Sequence, residues 1–265
     1  MDDHLSDSPV LVSRDGSIVT LQLNRPERMN AVSLDLYRAL DRELSKHAED
    51  PEVRALIITG SERAFCVGAD LDAHARGTGG EDARKVYVES AQTVNRRIQT
   101  IPKIVVAAAT GHAIGAGFEL LMACDLSVVS EHAKYRFPEL GLGTFVGGGV
   151  TRGLLQRVGR GRTNELLFLC PKLTGREAFE AGLVNRAVPA SEVMETAKAF
   201  AREAAARAPI SVAWAKALLN QAGQLPLDDV LDLESDALLA CMNSTDWAEG
   251  IAAFHEKREP KFRGE

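Results

Sequence analysis

Residues 111–139 read GHAIGAGFELLMACDLSVVSEHAKYRFPE. Glycines at 111, 115 and 117 bracket a turn that leads from an apolar run into the helical pattern FELLMACDL. Glycine lets a backbone take positive φ or approach a ligand closely. A helix start leaves its N–H groups unpaired at the same place, and Ala116 offers one beside a small side chain. Glu119 falls in the helix's opening turn, and Glu139 closes the stretch. N–H groups facing a cleft can hold a developing oxyanion while two acids move protons. That combination points to chemistry at a carbonyl. Each residue also has a plainer reading. The glycines could merely permit a tight crossing, Glu119 could complement the helix dipole for about 0.3–1 kcal/mol, and Glu139 could be solvated or an N-cap.

The first two-thirds of the chain alternate strand-like and helical runs. SIVTLQL at 17–23 alternates like a half-buried strand, and RALIIT at 54–59 reads as a buried one. Between them, 34–48 is a helix with Ser33 as N-cap and Tyr37, Leu40 and Leu44 on one face. Residues 60–80 read as a loop whose glycine-rich second half suits a lid or the wall of an acyl pocket. A helix follows over 82–100, with Tyr87, Ala91, Val94, Ile98 and Ile101 on one stripe and Pro102 as its stop. Strands are expected at 104–109, 126–130, 134–137 and 183–188, and helices at 149–158, 162–170 and 176–181. Beyond Pro189 only helical patterns remain, broken near Pro209, Pro226 and Ser244. This implies an α/β core over 1–189 and a helical region over 190–265 that contributes to an oligomer interface, because a thin helical layer rarely buries its own apolar face.

Composition narrows the function classes. The 265 residues are 45% hydrophobic and 26% charged, enough to bury a core without staples. A net charge of −6 gives nothing global to attract nucleic acid or an anionic membrane. Cys66, Cys124, Cys170 and Cys241 lie far apart and read as buried thiols in a reducing compartment, with no metal-ligand spacing. No run approaches the roughly 18 apolar residues of a membrane span, and the acidic start MDDHLSDSPV is no signal peptide. A cytoplasmic globular protein is the expectation.

A second small-residue turn, Gly68–Ala69–Asp70, follows a strand and supplies another candidate N–H donor. Two such donors make an oxyanion hole, each typically worth about 3–4 kcal/mol to the transition state. Glu119 precedes LLMAC and is expected to be partly buried, which raises its pKa toward the range of general acid–base work.

The segments NRPERMNA, RAFCVGADL, GHAIGAGFELLMACD, FPELGLG, TGREAFEAGLVNRAVP and AFHEKREPKF together resemble the crotonase (enoyl-CoA hydratase/isomerase) superfamily over about residues 10–263. The resemblance implies a crotonase-like spiral of ββα units with an all-helical C-terminal trimerisation region, in trimers or dimers of trimers. It implies acyl-CoA thioester substrates, no metal and no cofactor beyond the coenzyme A of the substrate. It matches Ala69 and Ala116 to the oxyanion-hole donors, and Glu119 and Glu139 to the glutamate pair of the hydratases. It further assigns Arg28 and Met29 to the wall of the CoA pocket and Gly68, Asp70 and Leu71 to its surroundings. Lys257, Arg258 and Lys261 resemble a basic cluster that reaches a CoA phosphate, although a solvated helix face reads the same way. Asp125 and His112 match structural positions, and Cys66 is expected to be a packing thiol. One departure stands out: Val146 replaces a usual proline in GTFVGGG, where Gly147 could present its N–H to water or the acyl group. Hydration of a 2-enoyl-CoA is the implied reaction. An enoyl-CoA isomerase, a hydroxyacyl-CoA hydratase-lyase and a non-catalytic RNA-associated homologue are the alternatives.

Overall fold

The computed structural model describes residues 8–70 and 80–265. Strands Val10–Asp15 (β1) and Ile18–Leu23 (β2) form an antiparallel hairpin through Gly16, whose φ is +59°. Helix α1 (Leu34–Glu49) follows; the Ser33 hydroxyl accepts from the Leu36 N–H at 3.2 Å, and Tyr37, Leu40 and Leu44 are buried. Strand β3 (Ala55–Thr59) is buried at every residue, as the interior of a parallel sheet requires.

From here the chain alternates between two sheets. Strands β3, β5 (Ile104–Ala109), β7 (Leu126–Ser130) and β10 (Arg186–Val188) join the hairpin in a six-stranded sheet of order β1-β2-β3-β5-β7-β10, parallel from β2 onward. Strands β4 (Ala64–Cys66), β6 (His112–Ile114), β8 (Lys134–Arg136) and β9 (Leu173–Thr174) form a second sheet in that order. After β4 comes α2 (Gly80–Thr100), after β6 comes α3 (Ala116–Ala123), and after β8 comes α4 (Val150–Phe168). Each turn of the spiral is therefore one ββα unit, with a helix carrying the chain back between parallel strands.

Several elements differ from the sequence-based expectation. The helices expected at 149–158 and 162–170 are the two halves of α4, broken at Gly159, whose φ of 70° and ψ of 174° are not helical. Stretches read as loop and turn contain β4 and β6, whose three residues are too few to show a period. The strand expected from 183 starts at Arg186, and β1 lies outside the expected strands.

The remaining helices are α5 (Gly175–Glu180), α6 (Val193–Ala205), α7 (Pro209–Leu219), α8 (Leu227–Met242) and α9 (Thr245–Glu256). The expected division at 189/190 falls just before α6. That helix lays Val193, Ala197 and Ala201 on Ile57, Val106 and Ala108, covering the second face of the large sheet. Leu227, Leu238, Leu239 and Phe254 on α8 and α9 are exposed. Among the described residues no helix is long and apolar enough to cross a membrane.

A buried ammonium pins α7 to this core. Lys216 Nζ donates to Asp125 Oδ2 at 2.6 Å, to the Ile98 carbonyl at 2.7 Å and to the Lys103 carbonyl at 2.9 Å. Asp125 also accepts from the Val105 N–H at 2.8 Å. Burial lowers the Lys216 pKa and raises that of Asp125, and their mutual attraction opposes both shifts. Removing one partner of such a pair typically costs about 3–5 kcal/mol, because the other charge is left buried. Lys216→Met should lower the urea unfolding midpoint accordingly, and the double variant Asp125→Asn/Lys216→Met should recover most of the loss. A single variant within about 1 kcal/mol of the parent would contradict this account.

Candidate active site

The site begins where two backbone turns meet. Strand β4 runs parallel to β6 with a register shift between Ala64 and Cys66. A methyl group built on Gly117 would collide with the Cys66 carbonyl, and one on Gly111 would collide with the peptide that joins Arg63 to Ala64. These two glycines thus serve close contact between backbone segments. Of the three glycines in this stretch only Gly115 takes positive φ, at 55°. At the next turn Gly68 has φ +91°, and a methyl on it would lie 2.8 Å from the Ile114 carbonyl oxygen and 3.4 Å from the Ala116 nitrogen. The segments that present Ala69 and Ala116 are therefore side by side.

The orientation of each N–H follows from local pairing. Val32 donates to the Gly68 carbonyl at 2.8 Å and accepts from the Asp70 N–H at 3.2 Å. In a parallel bridge of that kind the Ala69 N–H points away from Val32. Ala116 is the first residue of α3, so its N–H has no carbonyl a turn earlier in the helix.

Both carboxylates reach this place. Glu119 is 4% exposed and Glu139 7%. Glu139 opens a 3-10 turn, Glu139–Leu142, and its Oε1 lies 2.7 Å from where a methyl on Gly115 would be. Its Oε2 is buried and has no hydrogen-bond partner among the described residues. Glu119 Oε2 accepts the N–H of Gly147 at 2.8 Å and that of Gly148 as well. Burial raises the Glu119 pKa, and the Gly148 and Gly147 N–H groups oppose the rise by stabilising the charged form. Burial pushes Glu139 up to about 7; its own N–H opposes this, the Glu119 charge adds to it, and Arg136 opposes it.

The other expected residues divide. The Gly147 N–H, expected to face water or an acyl group, is directed at Glu119. Asp70 is buried and paired with Arg25 at 3.1 Å, a partner that sequence reading missed. Met29 is exposed with φ 51°, beside exposed Arg28. Leu71 and the rest of 71–79, within the glycine-rich second half of the expected 60–80 loop, lie outside the described residues, and Gly80 already starts α2. Arg258 is held by Glu249 and Glu256, while Lys257 and Lys261 are exposed. His112 Nδ1 accepts from the Lys134 N–H at 3.0 Å, a structural role. Cys66 is buried and its thiol is pushed up to about 12 by that burial, so it packs and does not attack. A cavity of about 900 Å³ between α3, α4 and α7 touches Glu119 and Gly148 but none of Ala69, Ala116 and Glu139.

A family model described as enoyl-CoA hydratase/isomerase matches residues 13–265. The chain belongs to that family. It is 34% identical over 251 residues to the short-chain-enoyl-CoA hydratase of Clostridium acetobutylicum, covering 94% of this chain and 95% of the relative. It is also 34% identical over 254 residues to the crotonyl-CoA hydratase of Syntrophomonas wolfei, covering 96% and 97%. The crystal structure of an enoyl-CoA hydratase from Bacillus anthracis superposes with a TM-score of 0.93 at 34% identity, covering 97% of this chain and all of that one. The spiral and the helical C-terminal region are thus those of the crotonase superfamily.

The glycine contacts give this family member a direct test. Gly117→Ala forces a methyl into the Cys66 carbonyl and should destabilise the fold by about 1–3 kcal/mol, as overpacking does. Gly141→Ala meets nothing within 4 Å and should stay within about 0.5 kcal/mol. Chemical denaturation of the two variants reads the difference, and equal midpoints would refute the contact argument.

Proposed function

We propose that this enzyme adds water across the α,β double bond of a 2-enoyl-CoA thioester. The observation that carries the reading is the unequal pair of buried carboxylates beside the two small-residue turns. Glu119 is held by two backbone N–H groups that favour its ionised form, so it serves as the base that deprotonates the attacking water. Glu139 has no such pair and a pKa near 7, so it keeps a proton to deliver to Cα. Environments that push two acids apart in this way define which is base and which is acid. The Ala69 and Ala116 N–H groups hold the thioester oxygen as it gains enolate character. The reaction leaves oxidation state unchanged overall, so it calls for no electron-carrying cofactor.

In the same reading Arg28, Met29, Gly68 and Asp70 border the CoA moiety, and Lys257 and Lys261 reach its phosphates from a neighbouring subunit. The exposed apolar residues of α8 and α9 support a homotrimer or a dimer of trimers. Four free cysteines, three of them buried, fit a reducing cytoplasm.

Glu119→Gln and Glu139→Gln should each lower the rate of crotonyl-CoA hydration by on the order of 10²–10⁴, the range general acid–base groups supply. CoA binding should survive both. Wild-type hydration by Glu139→Gln would falsify the assignment, and product analysis separates hydration from isomerisation or C–C cleavage.

Activity should fall as pH rises through about 7, where Glu139 loses its proton, and Glu139→Gln should lack that limb. Between the ordinary glutamate range and about 7 the folded chain holds a proton that the unfolded chain has released. Stability should therefore fall with rising pH across that window. Thermal melts of Glu139→Gln should be flatter there than those of the parent; identical slopes would contradict the shift.

A further inference from the structure

A buried amide stands on the inner face of α2. Tyr87, Ala91, Val94 and Ile98 run along that face, and Asn95 stands among them, 5% exposed. Its Nδ2 donates to the Ala91 carbonyl at 2.9 Å, one turn back on the same helix. Its Oδ1 is buried and accepts no hydrogen bond among the described residues. A buried acceptor without a donor costs free energy, and such a group calls for an explanation.

Asn95 belongs to the reaction site by position. A methyl built on Gly148 would lie 2.8 Å from Glu119 Oε2 and 3.1 Å from both Cγ and Nδ2 of Asn95. Carboxylate and amide thus flank the same glycine. Glu119 Oε2 is already taken by two N–H groups, which leaves Oε1 to receive the proton of water. A water so held has a second hydrogen that needs an acceptor. Glu139 is unsuited while it carries the proton destined for Cα.

We propose that Asn95 Oδ1 is that acceptor, a catalytic group that fixes the attacking water against Glu119. The assignment rests on the hydratase reading. In the step, one O–H bond of water breaks toward Glu119 and a C–O bond forms at Cβ. The π bond opens, and Glu139 supplies the proton that makes the new C–H bond at Cα. The hydrogen held by Asn95 stays on oxygen and becomes that of the product hydroxyl. No oxidant, reductant or further reactant enters.

The test separates water addition from chemistry at Cα. Exchange of the α-hydrogen of butyryl-CoA with deuterated solvent uses Glu139 and the oxyanion donors but no attacking water. Asn95→Leu, close in volume and without an acceptor, should lower kcat for crotonyl-CoA hydration by on the order of 10- to 100-fold, with KM within about threefold. It should slow exchange at least about tenfold less than it slows hydration. If that variant does not fold, Asn95→Ala, which cannot overpack, reads the same ratio. Equal losses of hydration and exchange, or unchanged hydration, would overturn the role of Asn95 alone. A parent enzyme that exchanges the α-hydrogen but hydrates nothing would overturn the hydratase reading, and this proposal with it.

Discussion

The site depends on backbone lying against backbone where side chains would normally keep strands apart. Gly117 sits on the Cys66 carbonyl at one end of β4, and Gly111 sits on the Arg63–Ala64 peptide at the other. Those contacts bring the end of β4 to the start of α3. Only then do the Gly68–Ala69 turn and the Ile114–Ala116 turn stand side by side. A spiral of ββα units suits this arrangement, since it delivers the end of one strand pair beside the next with each turn.

Electrostatics then distinguishes two residues of identical chemistry. Both glutamates are buried, which alone would raise both pKa values. The GGG run at 147–149 supplies the asymmetry, because two of its N–H groups close on one oxygen of Glu119. Gly148 can approach only because it lacks a side chain, as a methyl there would collide with the carboxylate. The same methyl would also press on the Asn95 amide, 3.1 Å from its Cγ and Nδ2. The bare backbone at Gly148 therefore lets the loop close on both the Glu119 carboxylate and the Asn95 amide.

Much of this was legible in the sequence, for identifiable reasons. The strands at 18–23, 55–59 and 104–109 show clear alternation or all-apolar runs, and α1 announces itself through Ser33 and the Tyr37–Leu40–Leu44 stripe. The pair Glu119 and Glu139 was visible as acids beside a glycine-rich turn. What escaped was short or non-local. Strands of three residues have no period to read, and the break in α4 at Gly159 looked like a gap between two helices. Partners distant in sequence, such as Lys216 for Asp125 and Arg25 for Asp70, leave no local signature. Asn95 did leave one: an amide beside Val94 and Ile98 on the inner stripe of α2.

The ion pair of Lys216 also links the peripheral helices to the chemistry. Asp125 follows directly on α3, the helix of Glu119, and the Ile98 carbonyl belongs to α2, the helix of Asn95. A single ammonium on α7 thus grips the C-terminal ends of both helices that carry the proposed base and water acceptor. Its three acceptors lie on separate segments, so it resists sliding of either helix along the other. Helices α8 and α9, which expose Leu227, Leu238, Leu239 and Phe254, continue from α7. The helical region is thereby tied to the two helices that carry Glu119 and Asn95.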